Sequence, residues 1–122
     1  MTRLLLAGAM LLGLAATGGP ALAHHGWAWT TGGNIEVTGV IKAARLGNPH
    51  GILDLAVEDE TWTVEVGQPW RNERAGIKDG DLAVGVEIRV IGEPAAKPSE
   101  RRVKAERLYI GGREHVLYPE RD

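Results

Sequence analysis

The sequence predicts a mainly β fold: a small OB-like barrel (the oligonucleotide/oligosaccharide-binding type) with five or six strands and one short helix, after an N-terminal signal peptide. Three observations indicate this class. Apolar and polar residues alternate in short stretches, Gly, Asn, Asp and Pro bound those stretches, and one segment alone has the features of a helix. Three strands, a helix and two or three further strands is the element order of such barrels.

The first 23 residues have the organisation of a cleavable secretory signal peptide. An early positive charge, Arg3, precedes an apolar run over residues 4–16, and Ala-Leu-Ala at residues 21–23 matches an A-x-A cleavage site. The alternative is a transmembrane anchor, which would need about 20 apolar residues. We therefore expect cleavage after Ala23 and a periplasmic location.

The remaining chain, residues 24–122, has the length of one domain, and residues 24–33 form an N-terminal segment with His and Trp. Cleavage removes one of the 14 basic residues and none of the 16 acidic ones, so the mature protein is net acidic. This balance argues against a nucleic-acid partner, and the basic residues over 97–104 are expected at a solvated loop edge. The lack of cysteine excludes disulfides, thiolate ligands and a lipid anchor. We expect no membrane span after cleavage.

Each strand is predicted from a short apolar run or from apolar alternation. The first strand is expected to bend at Gly39. The second and third form a hairpin across the acidic turn 58–60, and Gly111-Gly112 supplies the positive φ angles of a two-residue turn in the last hairpin. The predicted strands cover residues 34–46, 52–57, 61–66, 86–91, 102–110 and 114–118.

One short helix is predicted between Pro69, which suits a first helical position, and Gly76, which suits the residue after a helix end. Trp70 is expected to cap the core, with contact to a partner as the alternative. Trp27 and Trp29 are expected to dock on the barrel as part of an N-terminal strand. The inward positions of the strands define the predicted core: Ile35, Val37, Ile41, Leu53, Leu55, Trp62, Val64, Val66, Ile88, Val90 and Leu108.

Three of the four histidines lie where a metal site can form. After cleavage at Ala23, His24 offers its α-amine and its imidazole, and His25 or His50 can supply the next imidazole. Three nitrogen ligands in a roughly tetragonal set suit Cu(II), whereas zinc favours four ligands in a tetrahedron. The predicted metal ligands are His24, His25 and His50, with Cu(II) as the candidate cofactor. His115, in the middle of a strand, is predicted to be structural.

The same residues allow other interpretations. The His pair fits a solvated chain end, and His50 fits a turn whose imidazole bonds to backbone. The leading hypothesis is a periplasmic copper-binding protein that acts as a carrier, sequestering protein or sensor. The alternative is a metal-free envelope module that binds a protein or glycan through its barrel face. No catalytic residues are predicted, because no nucleophile has a neighbouring histidine; a third hypothesis, a copper oxidoreductase, lacks an aromatic substrate surface and a nearby acid.

Several motifs together resemble a known family. They are His24-His25-Gly26-Trp27, Thr38-Gly39-Val40-Ile41, Asn48-Pro49-His50, the run from Trp62 to Pro69, Arg74-Ala75-Gly76 and Val90-Ile91-Gly92. In this combination the chain resembles an exported bacterial family of unknown function, DUF6152. The resemblance implies that the His pair and the Asn-Pro-His turn recur together in this family. Its members commonly have an acidic residue shortly after the His pair, where this chain has Trp29-Thr30-Thr31.

Overall fold

Six strands and one helix form the fold in the computed structural model, which describes residues 26–78 and 80–121. The predicted signal peptide, His24 and His25 lie outside the described residues. In the described ranges no helix is long and apolar enough to cross a membrane. In chain order the elements are β1 (Ile35–Arg45), β2 (Ile52–Val57), β3 (Glu60–Glu65), α1 (Pro69–Arg74), β4 (Glu87–Pro94), β5 (Arg102–Ile110) and β6 (Arg113–Val116).

The strands form one sheet in the order β3-β2-β1-β4-β5-β6. A parallel pairing of β3 with β5, which places Glu65 opposite Lys104, closes five of the strands into a barrel. The sixth, β6, extends the sheet from β5, and α1 lies between β3 and β4 in the chain. The predicted OB-like barrel with one short helix is therefore confirmed.

Two glycines allow neighbouring strands to approach closely. At Gly39 a Cβ atom would collide with the backbone oxygen of Ala56 in β2, and at Gly92 it would collide with that of Lys104 in β5. The bend expected at Gly39 is displaced, because the register of β1 against β2 shifts between Ile41 and Ala43. Gly39 thus provides space for β2 instead of marking the irregularity itself.

The barrel encloses an apolar core that matches the predicted inward faces. Nine of the eleven predicted core residues are buried, while Ile35 and Trp62 are only partly buried and pack against the margin of the core. Ile35 is the first residue of β1, and Trp62 lies near the turn of the β2–β3 hairpin, so both sit where the barrel wall ends. Further core residues come from β5 and from segments outside the predicted inward faces: Ile77, Leu82, Val103, Ala105, Ile110, Leu117 and Tyr118.

The chain between β4 and β5 differs most from the prediction. β4 continues to Pro94 instead of ending at residue 91, because Glu93 and Pro94 pair with Lys104 and Val103 of β5. The expectation of a solvated basic loop edge is wrong for Lys104, which is 5% exposed, and for the half-buried Arg102. Both belong to β5, where the parallel neighbour β3 supplies their carboxylate partner.

Candidate functional site

A layer of charged side chains lies on the outer face of β3, β4 and β5, opposite the apolar core. We call it the ionic layer, and it comprises Glu65, Glu93, Arg102, Lys104, Glu106 and Arg121. Four of its six members, Glu65, Glu93, Lys104 and Glu106, are between 1% and 5% exposed. Charges rarely reach such burial unless they are paired. The layer is therefore covered by other parts of the chain.

Glu65 is the centre of one half of the ionic layer. Its Oε1 lies 2.8 Å from Lys104 Nζ, and its Oε2 lies 3.0 Å from a terminal nitrogen of Arg102. The parallel register of β3 and β5 places Glu65 beside Lys104 and so brings these charges together. Each carboxylate oxygen thus has a charged donor, which offsets the desolvation of Glu65.

Glu93 and Glu106 form the other half of the ionic layer. Arg121 contacts both carboxylates, at 3.1 Å and 3.7 Å, and the Thr30 hydroxyl donates to Glu93 while Asn34 donates to Glu106. Burial raises the pKa of Glu93, but the hydrogen bonds from Thr30 and Arg121 and the charge of Arg121 outweigh burial. The net result is a lowered pKa, so the native environment favours the ionised carboxylate.

The N-terminal segment covers the ionic layer with aromatic rings. Trp27 packs edge-on against Tyr118 with ring centres 5.0 Å apart, and the Arg121 guanidinium lies 3.8 Å from the Trp27 ring. Arg102 lies 3.8 Å from the ring of Trp29. The segment docks as predicted, although through an isolated bridge between Thr30 and Ala95 instead of a strand. The rings exclude water and stack on the cations that they cover.

His50 lies in the turn between β1 and β2, directly after Asn48 and the cis-linked Pro49. Backbone hydrogen bonds between Gly51 and the residues after β3 hold this turn against the end of β3. As a result the His50 Nε2 atom lies 3.3 Å from Oε1 of Glu65. The other ring nitrogen, Nδ1, is buried and has no hydrogen-bond partner in the described part of the chain.

A cavity of about 330 Å³ opens beside the His50 side chain, which is 27% exposed. Buried Asn72 fixes one wall, since its amide exchanges two hydrogen bonds with the backbone of Gly67 and thereby holds α1 against the end of β3. Burial raises the pKa of the Tyr118 phenol in another wall. The cavity is lined by Gly26, Trp27, Pro49, His50, Glu65, Gln68, Arg71, Lys104 and Tyr118.

Only one of the three predicted metal ligands lies among the residues that the structure describes. His50 lies at the cavity, whereas His24 and His25 lie outside the described residues and directly precede Gly26, which lines the same cavity. Among residues 26–78 and 80–121, no group of three His, Cys, Asp or Glu side chains is placed to hold a metal ion.

Two other predictions about single residues had opposite outcomes. His115 is structural as predicted: it is 4% exposed, and its Nδ1 donates to the backbone oxygen of Ala75 after α1 at 2.8 Å. The core-capping role of Trp70 is wrong, because its side chain is 51% exposed beside the guanidinium of Arg71.

The sequence interpretation missed Glu65, the acid that faces His50. The acidic turn 58–60 is exposed, whereas Glu65 is the carboxylate that lies beside His50. A signal was present, since Arg102, Lys104 and Glu106 alternate with apolar Val103 and Ala105. Such alternation usually indicates a solvent face, and only the parallel pairing with β3 identifies it as a buried ionic face.

The fold and the site define a small OB-like barrel whose ionic layer ends in a histidine-bearing cavity. The chain belongs to DUF6152, a family of unknown function, whose model matches residues 11–103. The resemblance inferred from the sequence motifs is thereby confirmed, and the match includes His24, His25 and His50. No match was found among curated proteins.

Proposed function

We propose that this protein is a periplasmic metal-binding protein, for copper, that carries or sequesters the ion through His24, His25 and His50. The observation that supports this most directly is the Nδ1 atom of His50, which is buried and lacks a hydrogen-bond partner in the described residues. Leaving such an atom unsatisfied costs about 1 to 3 kcal/mol, so a buried ring nitrogen of this kind calls for a partner.

The path of the chain supports the same set of ligands. Gly26 and His50 line one cavity, and His25 is bonded directly to Gly26. Two residues reach at most about 7 Å along an extended chain, so the backbone of His24 is within that distance of the cavity wall. Cleavage after Ala23 would add the free α-amine of His24 to the available donors.

The chemistry of these donors favours copper. Neutral imidazoles and an amine are nitrogen ligands of the kind that Cu(II) binds in tetragonal geometry, and Cu(II) heads the divalent affinity order. Arg71 and Lys104 also line the cavity and place positive charge near a bound cation, with Glu65 as its one lining carboxylate. That charge weakens retention of the ion, which suits a protein that must release its cargo to a recipient.

The test is calorimetry with Cu(II) on the exported protein and three variants. His50→Ala removes one imidazole, and one extra residue before His24 removes the α-amine, so both are expected to bind copper more weakly than the native protein. His115→Gln is the matched control, because it changes the histidine count outside the cavity and should leave affinity unchanged. Equal affinity for all four proteins contradicts the proposal. Mass spectrometry of the same sample checks that it begins at His24.

A second candidate function is a metal-free envelope module, and the exposed side chain of Trp70 favours it. The Arg71 guanidinium lies 4.6 Å from the Trp70 ring, and a half-exposed tryptophan with a neighbouring Arg is typical of contact surfaces. Titration with soluble peptidoglycan fragments would then change tryptophan fluorescence in the native protein and not in Trp70→Ala. Absence of copper binding together with such a change would favour this second function.

A further inference from the structure

Positive charge exceeds negative charge in the wall of the cavity beside His50. Arg71 and Lys104 both line the cavity, and Glu65 is the one acidic side chain among its lining residues. Glu65 is already shared, because its second oxygen lies 3.0 Å from Arg102. Arg71 forms no ion pair with a carboxylate in the described part of the chain. Although the chain as a whole is net acidic, this cavity therefore favours an anion.

The Arg71 guanidinium is held in place by the protein itself. Its Nε donates to Oε1 of Gln68 at 3.2 Å, and its Nη1 donates to the backbone oxygen of Leu117 at 3.0 Å. The centres of the Tyr118 and Trp70 rings lie 4.1 Å and 4.6 Å from its central carbon. These contacts leave the N–H groups of Nη2 without a partner among the described residues. A guanidinium fixed in this way loses little further conformational entropy when it binds a carboxylate.

The Lys104 ammonium group supplies a second positive charge that is only partly compensated. Lys104 is 5% exposed, and its hydrogen bond within the described chain goes to Oε1 of Glu65 at 2.8 Å. Its nitrogen lies 4.9 Å from the centre of the Trp27 ring and 5.7 Å from that of the Tyr118 ring. The ammonium group has further protons to donate, and burial makes it unfavourable to leave them without an acceptor. An anion in the cavity would supply that acceptor.

We propose that this cavity binds a small organic carboxylate, whose carboxyl group pairs with Arg71 and Lys104. The planar fork of an arginine matches the two oxygens of a carboxylate, and such charge-assisted hydrogen bonds are stronger where water is excluded. The cavity volume of about 330 Å³ suits a small molecule. The rings of Trp27 and Tyr118, together with Pro49, provide an apolar wall for the carbon part of the ligand.

The composition of the wall favours a carboxylate over inorganic phosphate. Because Glu65 remains in the wall, a monoanion meets less repulsion there than a dianion does. An inorganic ion would also make no use of the aromatic rings. The inference goes beyond the proposed copper function and does not depend on it, since it requires neither His24 nor His25.

Benzoate is a suitable probe, and benzamide is its neutral counterpart of similar shape. In calorimetry on the metal-free exported protein at neutral pH, we expect benzoate to bind at least about 10 times more tightly than benzamide, since a lost charge-assisted hydrogen bond has an effect of this size. The indole N–H signal of Trp27 should shift in NMR spectra as benzoate is added. Absence of benzoate binding, equal binding of the two probes or an unchanged Trp27 signal would overturn the inference. Inorganic phosphate that binds as tightly as benzoate would contradict the proposed ligand class.

Two variants of the same helix isolate the guanidinium. Arg71→Gln is expected to weaken benzoate binding about 10 to 100 times, because it removes a charged hydrogen-bond donor from the cavity. Arg74→Gln is the matched control, since it removes the same charge from an exposed position of α1 outside the cavity and should leave the affinity unchanged. An equal loss in both variants would mean that Arg71 acts only through long-range attraction, which contradicts its assigned role.

Circular dichroism establishes that both variants are folded. If Arg71→Gln does not fold, the comparison of benzoate with benzamide in the native protein still decides the question. Failure of this inference is also distinct from failure of the proposed function. Copper binding without benzoate binding contradicts the carboxylate site alone, whereas benzoate binding without copper binding contradicts the proposed metal function alone.

Discussion

The interior of the barrel and the ionic layer on its outer face are buried to a similar degree by different physical means. Inside, Leu53, Leu55 and Leu108 are fully buried, and close packing and the burial of apolar area are enough to stabilise them there. Outside, Glu65 and Glu106 are 1% and 2% exposed and need partners for every charged atom. The comparison shows that a strand can bury both faces when one face is apolar and the other is internally neutralised.

The largest expected effect comes from breaking the ionic layer on one side of a pair. Glu65→Ala leaves Lys104 buried without its carboxylate, and we expect a loss of about 3 to 5 kcal/mol in the free energy of unfolding. Chemical denaturation measures the loss. Glu65→Leu with Lys104→Met should recover most of it; a double variant as unstable as the single one would show that the ion pair is needed for more than neutralisation.

The free energy of unfolding should fall when side-chain volume is removed from the barrel interior. Leu55→Ala in β2 removes a fully buried side chain and is expected to cost about 2 to 5 kcal/mol, by lost transfer energy and an unfilled cavity. Denaturant unfolding of the variant and the native protein gives the difference. A cost below about 1 kcal/mol would place Leu55 at the surface and contradict the inward face of β2.

The margin of the barrel should be less sensitive than its centre. Trp62 is partly buried and has the guanidinium of Arg101 5.8 Å from its ring, so Trp62→Ala is expected to cost about 1 to 2 kcal/mol. The same denaturation assay applies. A loss as large as that of Leu55→Ala would mean that Trp62 belongs to the core as the sequence pattern suggested.

Acid should weaken the ionic layer before the interior. The pKa of native Glu93 is lowered relative to its usual value of 4.5, so its contribution to stability is present above that pH and is lost as the pH falls through the native pKa. Unfolding measured from pH 6 downward should show this loss in the native protein and a shallower slope in Glu93→Gln. Parallel curves for the two proteins would contradict the assigned role of Glu93.

The smallest effect is expected at the exposed helix. Trp70 is 51% exposed, and Trp70→Ala is expected to change the free energy of unfolding by no more than about 0.5 kcal/mol. Thermal and chemical denaturation check this. A loss above 1 kcal/mol would restore the core-capping role that the sequence suggested.

The two regions also differ in how far the sequence predicts them. Apolar alternation identified the interior because residues such as Ile41, Val64 and Val90 follow the period of a strand. Ile77 and Leu82 were not predicted as core residues, because they lie between α1 and β4, where no periodic pattern indicates an inward face.

The site was only partly predictable for a related reason. The Asn-Pro-His turn indicated His50 as a candidate site residue, but the alternating pattern around Glu65 predicts a solvent-facing charge within a strand. Its burial depends on Lys104 of β5 and on coverage by Trp27 and Tyr118, which are distant in sequence. Local sequence patterns predict local structure. The pairing of side chains that are distant in sequence becomes visible only in the closed barrel.

The contact of Trp27 with Tyr118 brings the beginning and the end of the folded chain together. This proximity permits circular permutation, with new ends opened at the exposed Gly111-Gly112 turn and a short linker joining the segments that contain Trp27 and Tyr118. Such a rearranged molecule would keep every strand of the barrel, while the α-amine that the proposed cleavage after Ala23 would free at His24 would be held in a peptide bond. It would separate the contribution of that proposed free amino group from the contribution of the fold.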